Sequence, residues 1–343
     1  MRRVLGLLLL ASLGLCACAS VDEAGASPLP TATFSAGSAR FGATSVELIT
    51  DGAIAAERLK ALINSAEASV DVEIYEFDRP DLADALIGAH RRGVRVRVVE
   101  DPTVTVNAAT SARLRLAGAE VLIFPVQQRQ IDHVKLLIVD SRAAIFGGMN
   151  WGSMSWRNHD FDLAVTGPAV GHLASIFAAD VVRSGGRAEL GVPPADPDGL
   201  RMLATYPAAD VRPVVLDEIS GARRQLFIEM YVMTDSQVIA ALSNAARRGV
   251  EVFILFDPNQ DLNQLAGARL RDAGVHVRFY RTQGEKLHAK CMEVDGRVLL
   301  IGSANWTSSG FLHNHELDAA IDSPPLATMA LARMERDWKA SGG

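Results

Sequence analysis

The chain has 343 residues, 49% hydrophobic and 22% charged, which is room for two domains or one large two-lobed domain with a substantial core. Its formal net charge of -6 excludes a global basic field of the kind that draws proteins to nucleic acid, and leaves only a local basic cleft. Five lysines stand against twenty-nine arginines, so a lysine at a repeated position argues for a compact ammonium rather than a guanidinium fork.

The first residues read as an export leader: "MRR", then the apolar run "VLGLLLLASLGL" (4–15), too short for a comfortable membrane span. "LCAC" (15–18) follows, with the small residue before a cysteine that marks a bacterial lipoprotein signal. The expectation is a signal peptide over 1–18 with Cys18 lipidated, giving an exported, membrane-anchored lipoprotein; plain secretion is the alternative. With Cys16 removed and Cys18 acylated, only Cys291 remains, which excludes an intramolecular disulfide and a Cys-rich zinc site. Cys291 itself reads as a small buried hydrophobe. Residues 19–44, rich in Ala, Ser, Thr, Pro and Gly, read as a tether.

Two matching halves follow, 45–184 and 211–341, across a linker at 185–210 marked by "RSGGRAELGVPPADPDG" (183–199). Glu73 pairs with Glu229, Tyr75 with Tyr231, Gly93 with Gly249 and Asp101 with Asp257, all 156 apart. His133 and His288, like Asn150 and Asn305, are 155 apart. A near-constant offset over so many positions is a duplication. Each half predicts a buried strand (70–77, 226–232), a helix (80–91, 236–248) stopped by Gly93 or Gly249, and a second strand (94–101, 250–257). A further helix and strand follow (108–124, 263–280). The fold class is α/β: two duplicated halves about a pseudo-two-fold axis, sheets flanked by helices, one active site at the interface.

The chemistry lies in a pattern present twice. The first copy is His133–x–Lys135–x4–Asp140–x6–Gly147–x2–Asn150, and the second is His288–x–Lys290–x4–Asp295–x6–Gly302–Ser303–x–Asn305. If 133–140 and 288–295 are strands, the period of two puts His and Lys on one face, and the glycine turns bring Asn to the same mouth. The candidate catalytic set is therefore His133, Lys135, Asp140, Asn150, His288, Lys290, Asp295 and Asn305. Of these, Lys135, Asn150, Lys290 and Asn305, together with Ser303, are candidates for binding substrate. Such a set suits a phosphodiester: ammonium and amide donors neutralise the non-bridging oxygens, one imidazole attacks phosphorus, and a second protonates the leaving oxygen. One copy supplies one imidazole, and the reaction needs two. Asp140 and Asp295 end their strands and are expected to orient or brace the site, with a purely structural turn as the alternative. His159 and His315 suggest a metal, but no local His–Glu–x–x–His pattern or carboxylate cluster accompanies them. No metal and no cofactor is expected. His90, His172, His276 and His313 read as surface or satisfied core groups.

At these residues the sequence resembles the phospholipase D superfamily, whose signature His–x–Lys–x4–Asp–x6–Gly–Ser/Gly–x–Asn occurs in two copies. The resemblance implies metal-independent phosphodiester exchange through a covalent phosphohistidine in one site at the pseudo-dyad, with His133 as nucleophile and His288 as acid. It also implies a supporting acid after each copy, and "RNHDFD" (157–162) and "HNHELD" (313–318) supply Asp160 and Glu316. Gly148 stands where the second copy has Ser303, so the half-sites are not equivalent. The substrate stays open between a phospholipase D-type hydrolase releasing phosphatidic acid, a cardiolipin synthase-type phosphatidyl transferase and a secreted endonuclease. Hydrolysis of phospholipid is the first expectation, and an inactive binding module is the alternative from another class. A monomer is expected, with phospholipid as partner, the membrane reached through the N-terminal lipid anchor, and nucleic acid disfavoured by the lack of a basic stripe.

Overall fold

The computed structural model describes residues 37–281 and 284–342. The leader, Cys16, Cys18 and the tether as far as residue 36 lie outside the described residues. Eight strands form a first sheet: β1 (Ser38–Phe41), β2 (Thr44–Ile49), β3 (Ser69–Ile74), β4 (Arg95–Glu100), β5 (Glu120–Ile123), β6 (Lys135–Val139), β7 (Ala143–Gly147) and β8 (Asp162–Thr166). Seven form a second: β9 (Leu200–Ala204), β10 (Gln225–Met230), β11 (Glu251–Phe256), β12 (His276–Phe279), β13 (Lys290–Val294), β14 (Val298–Gly302) and β15 (Leu317–Asp322). The spatial orders are β1-β2-β8-β7-β6-β3-β4-β5 and β12-β11-β10-β13-β14-β15-β9. Apart from β1, the second order is the first read from the other edge. The duplication seen in the sequence is thus a duplication of topology.

The helices are α1 (Gly52–Ser65), α2 (Pro80–Arg91), α3 (Asn107–Leu116), α4 (Val170–Arg183), α5 (Val211–Gly221), α6 (Ser236–Arg247), α7 (Asp261–Asp272), α8 (Ser308–Leu312) and α9 (Pro324–Ala340). Local chemistry sets their ends. Pro80 opens α2, and the Asp235 carboxylate accepts from Gln237 and Val238 N–H at the start of α6. Gly93 and Gly249 sit at φ 92° and 91°, the left-handed region in which a side chain is strained, and there the chain turns into β4 and β11. The repeated "RRGV" has a second purpose. Arg92 donates to Ile63 and Asn64 carbonyls at the end of α1, and Arg248 donates to Ile219 and Ser220 carbonyls at the end of α5. Each arginine satisfies carbonyls that a helix end leaves orphaned.

Three buried clusters make the core. One packs α1, α2 and α3 on the first sheet, one packs α5, α6 and α7 on the second, and one joins the halves. The joining cluster takes Leu136 and Ile138 of β6, Phe227, Leu255 and Cys291 of the second sheet, Phe177 of α4 and Met334 of α9. Cys291 is accordingly a buried apolar filler, its thiol pushed well up by burial. No helix among the described residues is long and apolar enough to cross a membrane.

Two expected boundaries are corrected. The tether does not extend to residue 44, because Ser38–Phe41 pairs with β2 (Ser38↔Glu47 to Phe41↔Thr44) and Phe41 is buried. Nor is 185–210 all linker, since β9 pairs antiparallel with β15 (Leu317↔Ala204 to Ile321↔Leu200). Both are short edge strands beside Gly- and Pro-rich stretches, where composition hides a pairing of four or five residues that only a tertiary partner stabilises.

Candidate active site

The loops that leave β7 and β14 cross between the halves. His133, just ahead of β6, donates its N–H to the His315 carbonyl at 2.8 Å, and His288, ahead of β13, donates to the His159 carbonyl at 2.9 Å. Each half therefore hands the residues after its own pattern to the other half's histidine. The supporting acids follow the same exchange: Glu316 Oε2 lies 2.8 Å from His133 Nδ1, and Asp160 Oδ1 lies 3.0 Å from His288 Nδ1. The sequence places each acid after a copy of the pattern but cannot say which histidine it serves.

This crossing accounts for the mismatch between Gly148 and Ser303. A Cβ at position 148 would come within 2.5 Å of Asp160 Oδ1 and 3.5 Å of the Gly302 carbonyl, so no side chain fits there. In the second copy the buried Ser303 hydroxyl donates to Glu316 Oε2 at 2.6 Å and accepts from Leu317 N–H at 3.0 Å. The Ser303 hydroxyl is thus fully buried and taken up by Glu316 and Leu317, which places it as a support of Glu316 where a substrate-binding role was expected. The glycines of the turns are needed as well, since a Cβ on Gly147 or Gly302 would meet Asp162 or Asp318. Those aspartates tie down the turns that carry the asparagines: Asp162 accepts from Met149 N–H at 3.2 Å, and Asp318 accepts from Ser303 and Ala304 N–H, each at 3.1 Å. Asn150 and Asn305 leave their buried side-chain oxygens without a hydrogen bond.

His133, Lys135, His288 and Lys290 are all buried. Burial, with the Lys135 and Lys290 ammoniums adding to it, holds His133 down at about 4 against the upward pull of Glu316. The same causes hold His288 at about 3 against Asp160. Burial likewise brings Lys135 down to about 7 and Lys290 to about 8, while the carboxylates nearby resist. Asp160 and Glu316 stay below the usual carboxylate range despite burial, held there by their histidines and the lysines. The resting site therefore has two neutral imidazoles, each directing Nδ1 at a carboxylate; the Lys290 ammonium lies 3.1 Å from His288 Nε2 and donates to it, and a bound phosphodiester anion would compensate the two lysines.

Not every expected residue is in this cluster. Asp140 and Asp295 lie at the far ends of β6 and β13, at φ 52° and 56°. Asp140 accepts from Glu67, Ala68 and Ser69 N–H at 2.7 to 3.0 Å, and Asp295 from Arg223, Arg224 and Gln225 N–H at 2.8 to 2.9 Å. They pin the turn that enters β3 or β10, so the expected catalytic placement is corrected to the structural alternative. A strand of five residues, whose first residue is the site lysine, separates them from the histidines.

Two tyrosines belong to the site without having been singled out for it. Tyr75 packs edge-on to His133 at 5.0 Å between ring centres, and Tyr231 lies 4.8 Å from His288. Their only signal was the 156-residue offset. His159 and His315 do have carboxylate clusters, contrary to the reading from local sequence. His159 Nε2 is 2.5 Å from Glu229 and 3.4 Å from Asp337, and His315 Nε2 is 2.9 Å from Asp180 and 3.4 Å from Glu73. The acids lie 70 to 242 residues away in the chain, which no local pattern reveals. With Asp132 beside Glu73, these are the groups among the described residues whose spacing would suit a cation. Each imidazole nitrogen that faces its acids is engaged in an ion pair, and Arg333 adds a guanidinium 2.7 Å from Asp337. His172 bonds Asp196, while His276 and His313 are exposed.

A family described as "Cardiolipin synthase, PLD-like domain" matches residues 59–181 and 215–338, one segment in each half. Cardiolipin synthase A of Erwinia tasmaniensis is 27% identical over 297 residues, covering 75% of this chain and 60% of that protein. The major cardiolipin synthase ClsA of Bacillus subtilis is 27% identical over 334 residues, covering 85% and 68%. The chain thus spans about 60 to 68% of the length of these relatives. Among solved structures, phosphatidylserine synthase of Haemophilus influenzae shares the fold with a TM-score of 0.67 at 12% identity, covering 86% of each chain. Polyphosphate kinase of Porphyromonas gingivalis shares it at 0.62 and 17%, covering 86% of this chain and 47% of that one.

These comparisons also correct the expected location. The relatives it matches are cardiolipin synthases, and this overturns the exported-lipoprotein and secreted readings, which are withdrawn. The physical reason is that a basic pair ahead of twelve apolar residues is a generic membrane-seeking pattern that does not by itself specify an address.

Proposed function

Since the chain belongs to the family described as cardiolipin synthase, PLD-like domain, we propose that it is a phosphatidyl transferase that exchanges the alcohol of a phosphatidyl phosphodiester through a phosphohistidine. The observation that carries this reading is the cross-paired site, two buried imidazoles each fixed at Nδ1 by a carboxylate of the opposite half. A carboxylate only accepts, so the proton stays on Nδ1 and Nε2 offers its lone pair.

In the first step His133 Nε2 attacks phosphorus, the bond to the leaving oxygen breaks, and His288, protonated at Nε2, gives that oxygen its proton. In the second step an acceptor hydroxyl attacks the phosphohistidine. Its proton passes to His288 Nε2, and the P–N bond breaks. Lys135 and Lys290, with the amides of Asn150 and Asn305, hold the non-bridging oxygens where charge builds. Burial first and the two lysines second keep His288 neutral at rest; the phosphodiester anion offsets the lysines, and that favours the Nε2 proton of the acid. Giving His133 the nucleophile's role follows the superfamily resemblance. All charge handling falls to the chain's own side chains, so no cofactor or divalent ion takes part in these steps.

The cardiolipin synthases among its relatives favour transfer over the hydrolysis expected first. Cardiolipin is two phosphatidyl groups on one glycerol, so the donor is a phosphatidyl lipid and the acceptor is phosphatidylglycerol. The test is incubation of the purified chain with phosphatidylglycerol vesicles and, separately, with single-stranded DNA. Cardiolipin and glycerol in equal amounts are expected. Phosphatidic acid as the sole lipid product would replace transferase with hydrolase, and DNA cleavage without lipid product would defeat both.

A further inference from the structure

The two half-sites repeat the reacting groups but not the rim around them. Two residues before each histidine, the first copy has Ile131 and the second has Lys286. One residue after each tyrosine, the first copy has Glu76 and the second has Val232. The side of the mouth next to His288 therefore carries an extra cation, and the side next to His133 an extra anion.

Lys286 is half-buried, with Nζ 4.2 Å from the centre of the Tyr231 ring, the same ring that packs on His288. Lys290 lies 5.1 Å from that ring. The aromatic face steadies an ammonium but takes up none of its N–H donors. Among the described residues Lys286 forms no ion pair; burial raises the Asp257 carboxyl with Lys286 pulling the other way, and Asp257 accepts from Asn259 N–H at 2.8 Å. An ammonium partly withdrawn from water with no counter-ion is costly unless an anion arrives. Three of the chain's five lysines, Lys135, Lys286 and Lys290, gather here, in a protein whose basic residues are otherwise arginine apart from Lys60 and Lys339.

We propose that Lys286 is a specificity-determining residue that holds the phosphate of an anionic acceptor while the reacting phosphorus sits between Lys135 and Lys290. The inference rests on the transferase reading and deepens it. In a two-step exchange the leaving alcohol departs, and the acceptor enters, on the side of the residue that gives and takes the proton. His288 is that residue, and Lys286 is one ring away from it. An acceptor of the form phosphate–glycerol, whether a lipid head group or free glycerol phosphate, would place its hydroxyl at His288 and its phosphate at Lys286.

The test uses the full chain and a soluble p-nitrophenyl phosphodiester as donor, with glycerol or sn-glycerol 3-phosphate as acceptor. Wild type is expected to prefer the phosphate-bearing acceptor. Lys286→Met should lower the ratio of the two kcat/KM values at least tenfold, and Lys286→Arg, which keeps the charge, should hold it within threefold. Phosphatidylglycerol as acceptor in mixed vesicles then separates the lipid head group from the free phosphate as the source of the preference. An unchanged ratio in Lys286→Met overturns the proposal, as does equal loss with both acceptors. Calorimetric binding of sn-glycerol 3-phosphate to the resting protein is measured alongside, independent of turnover. Binding that depends on Lys286 without any transfer would defeat the transferase reading and leave the anion site standing. Binding indifferent to Lys286→Met would overturn the anion site itself.

Discussion

Glu316→Gln is the substitution that most directly probes the crossed architecture. Glu316 is fully buried, and its Oε2 meets His133 Nδ1 at 2.8 Å and the Ser303 hydroxyl at 2.6 Å, while Oε1 accepts from Asn314 Nδ2 at 3.0 Å. Glutamine keeps the shape and removes the charge. That charge matters most when His133 becomes cationic on bonding phosphorus. Two unit charges about 4 Å apart at an effective dielectric of about 20 interact by about 4 kcal/mol. Allowing for the oxygen that glutamine retains, about 3 kcal/mol of that should be lost, a slowing of about 10²-fold or more. If the amide turns its NH₂ toward Nδ1 instead, the proton moves to Nε2 and the lone pair that attacks is gone, so the slowing is larger. The assay is the rate of p-nitrophenol release in a single turnover of a chromogenic diester, with thermal unfolding followed in parallel. Release within fivefold of wild type, in a protein that melts normally, would refute the role given to the cross-half pair.

Replacing His288 with alanine should be partly rescued by a substrate with a good leaving group, because such a group needs no proton; rescue of His133→Ala instead would reverse the two roles. Asp140→Ala removes the acceptor of three backbone N–H groups outside the site, so it should cost about 2 kcal/mol of stability in urea titration while turnover per folded molecule stays within threefold. Burial and the charge of Asp160 raise Asp162 to about 8, and burial and Glu316 raise Asp318 to about 7. A raised carboxyl binds its proton more tightly when folded, so its stabilisation is complete below the unfolded value near 4 and fades as pH rises toward 8. Asp162→Asn and Asp318→Asn should flatten that decline in urea midpoints compared at pH 5 and 8. Dialysis against EDTA should leave turnover unchanged, and loss restored by zinc or magnesium would assign a cation to one of the buried His–carboxylate groups.

The duplication, the α/β class and the residues of the reacting cluster were legible in the sequence because each has a local signature. Strand and helix periods, the stops at Gly93 and Gly249, and two copies of His–x–Lys at a fixed offset need no knowledge of distant contacts. The roles of Asp140 and Asp295 were not legible, because a residue that closes a strand is equally near, in sequence, to either end of it. Five residues of strand carry them away from the histidines, and only the pairing of β6 and β13 within their sheets fixes that distance. The exchange of Asp160 and Glu316 between the halves was hidden for a related reason. Sequence proximity suggests an acid serves its own copy, whereas the pseudo-two-fold crossing delivers it to the other. Ser303 and Gly148 differ because the space around each acid differs, a steric fact that exists only once both loops are packed. The sequence determined which groups are available for the proposed chemistry, since those are properties of residue types at set spacings. The tertiary structure decided which of them meet, because contact depends on how two sheets, far apart along the chain, bury their inner faces against each other.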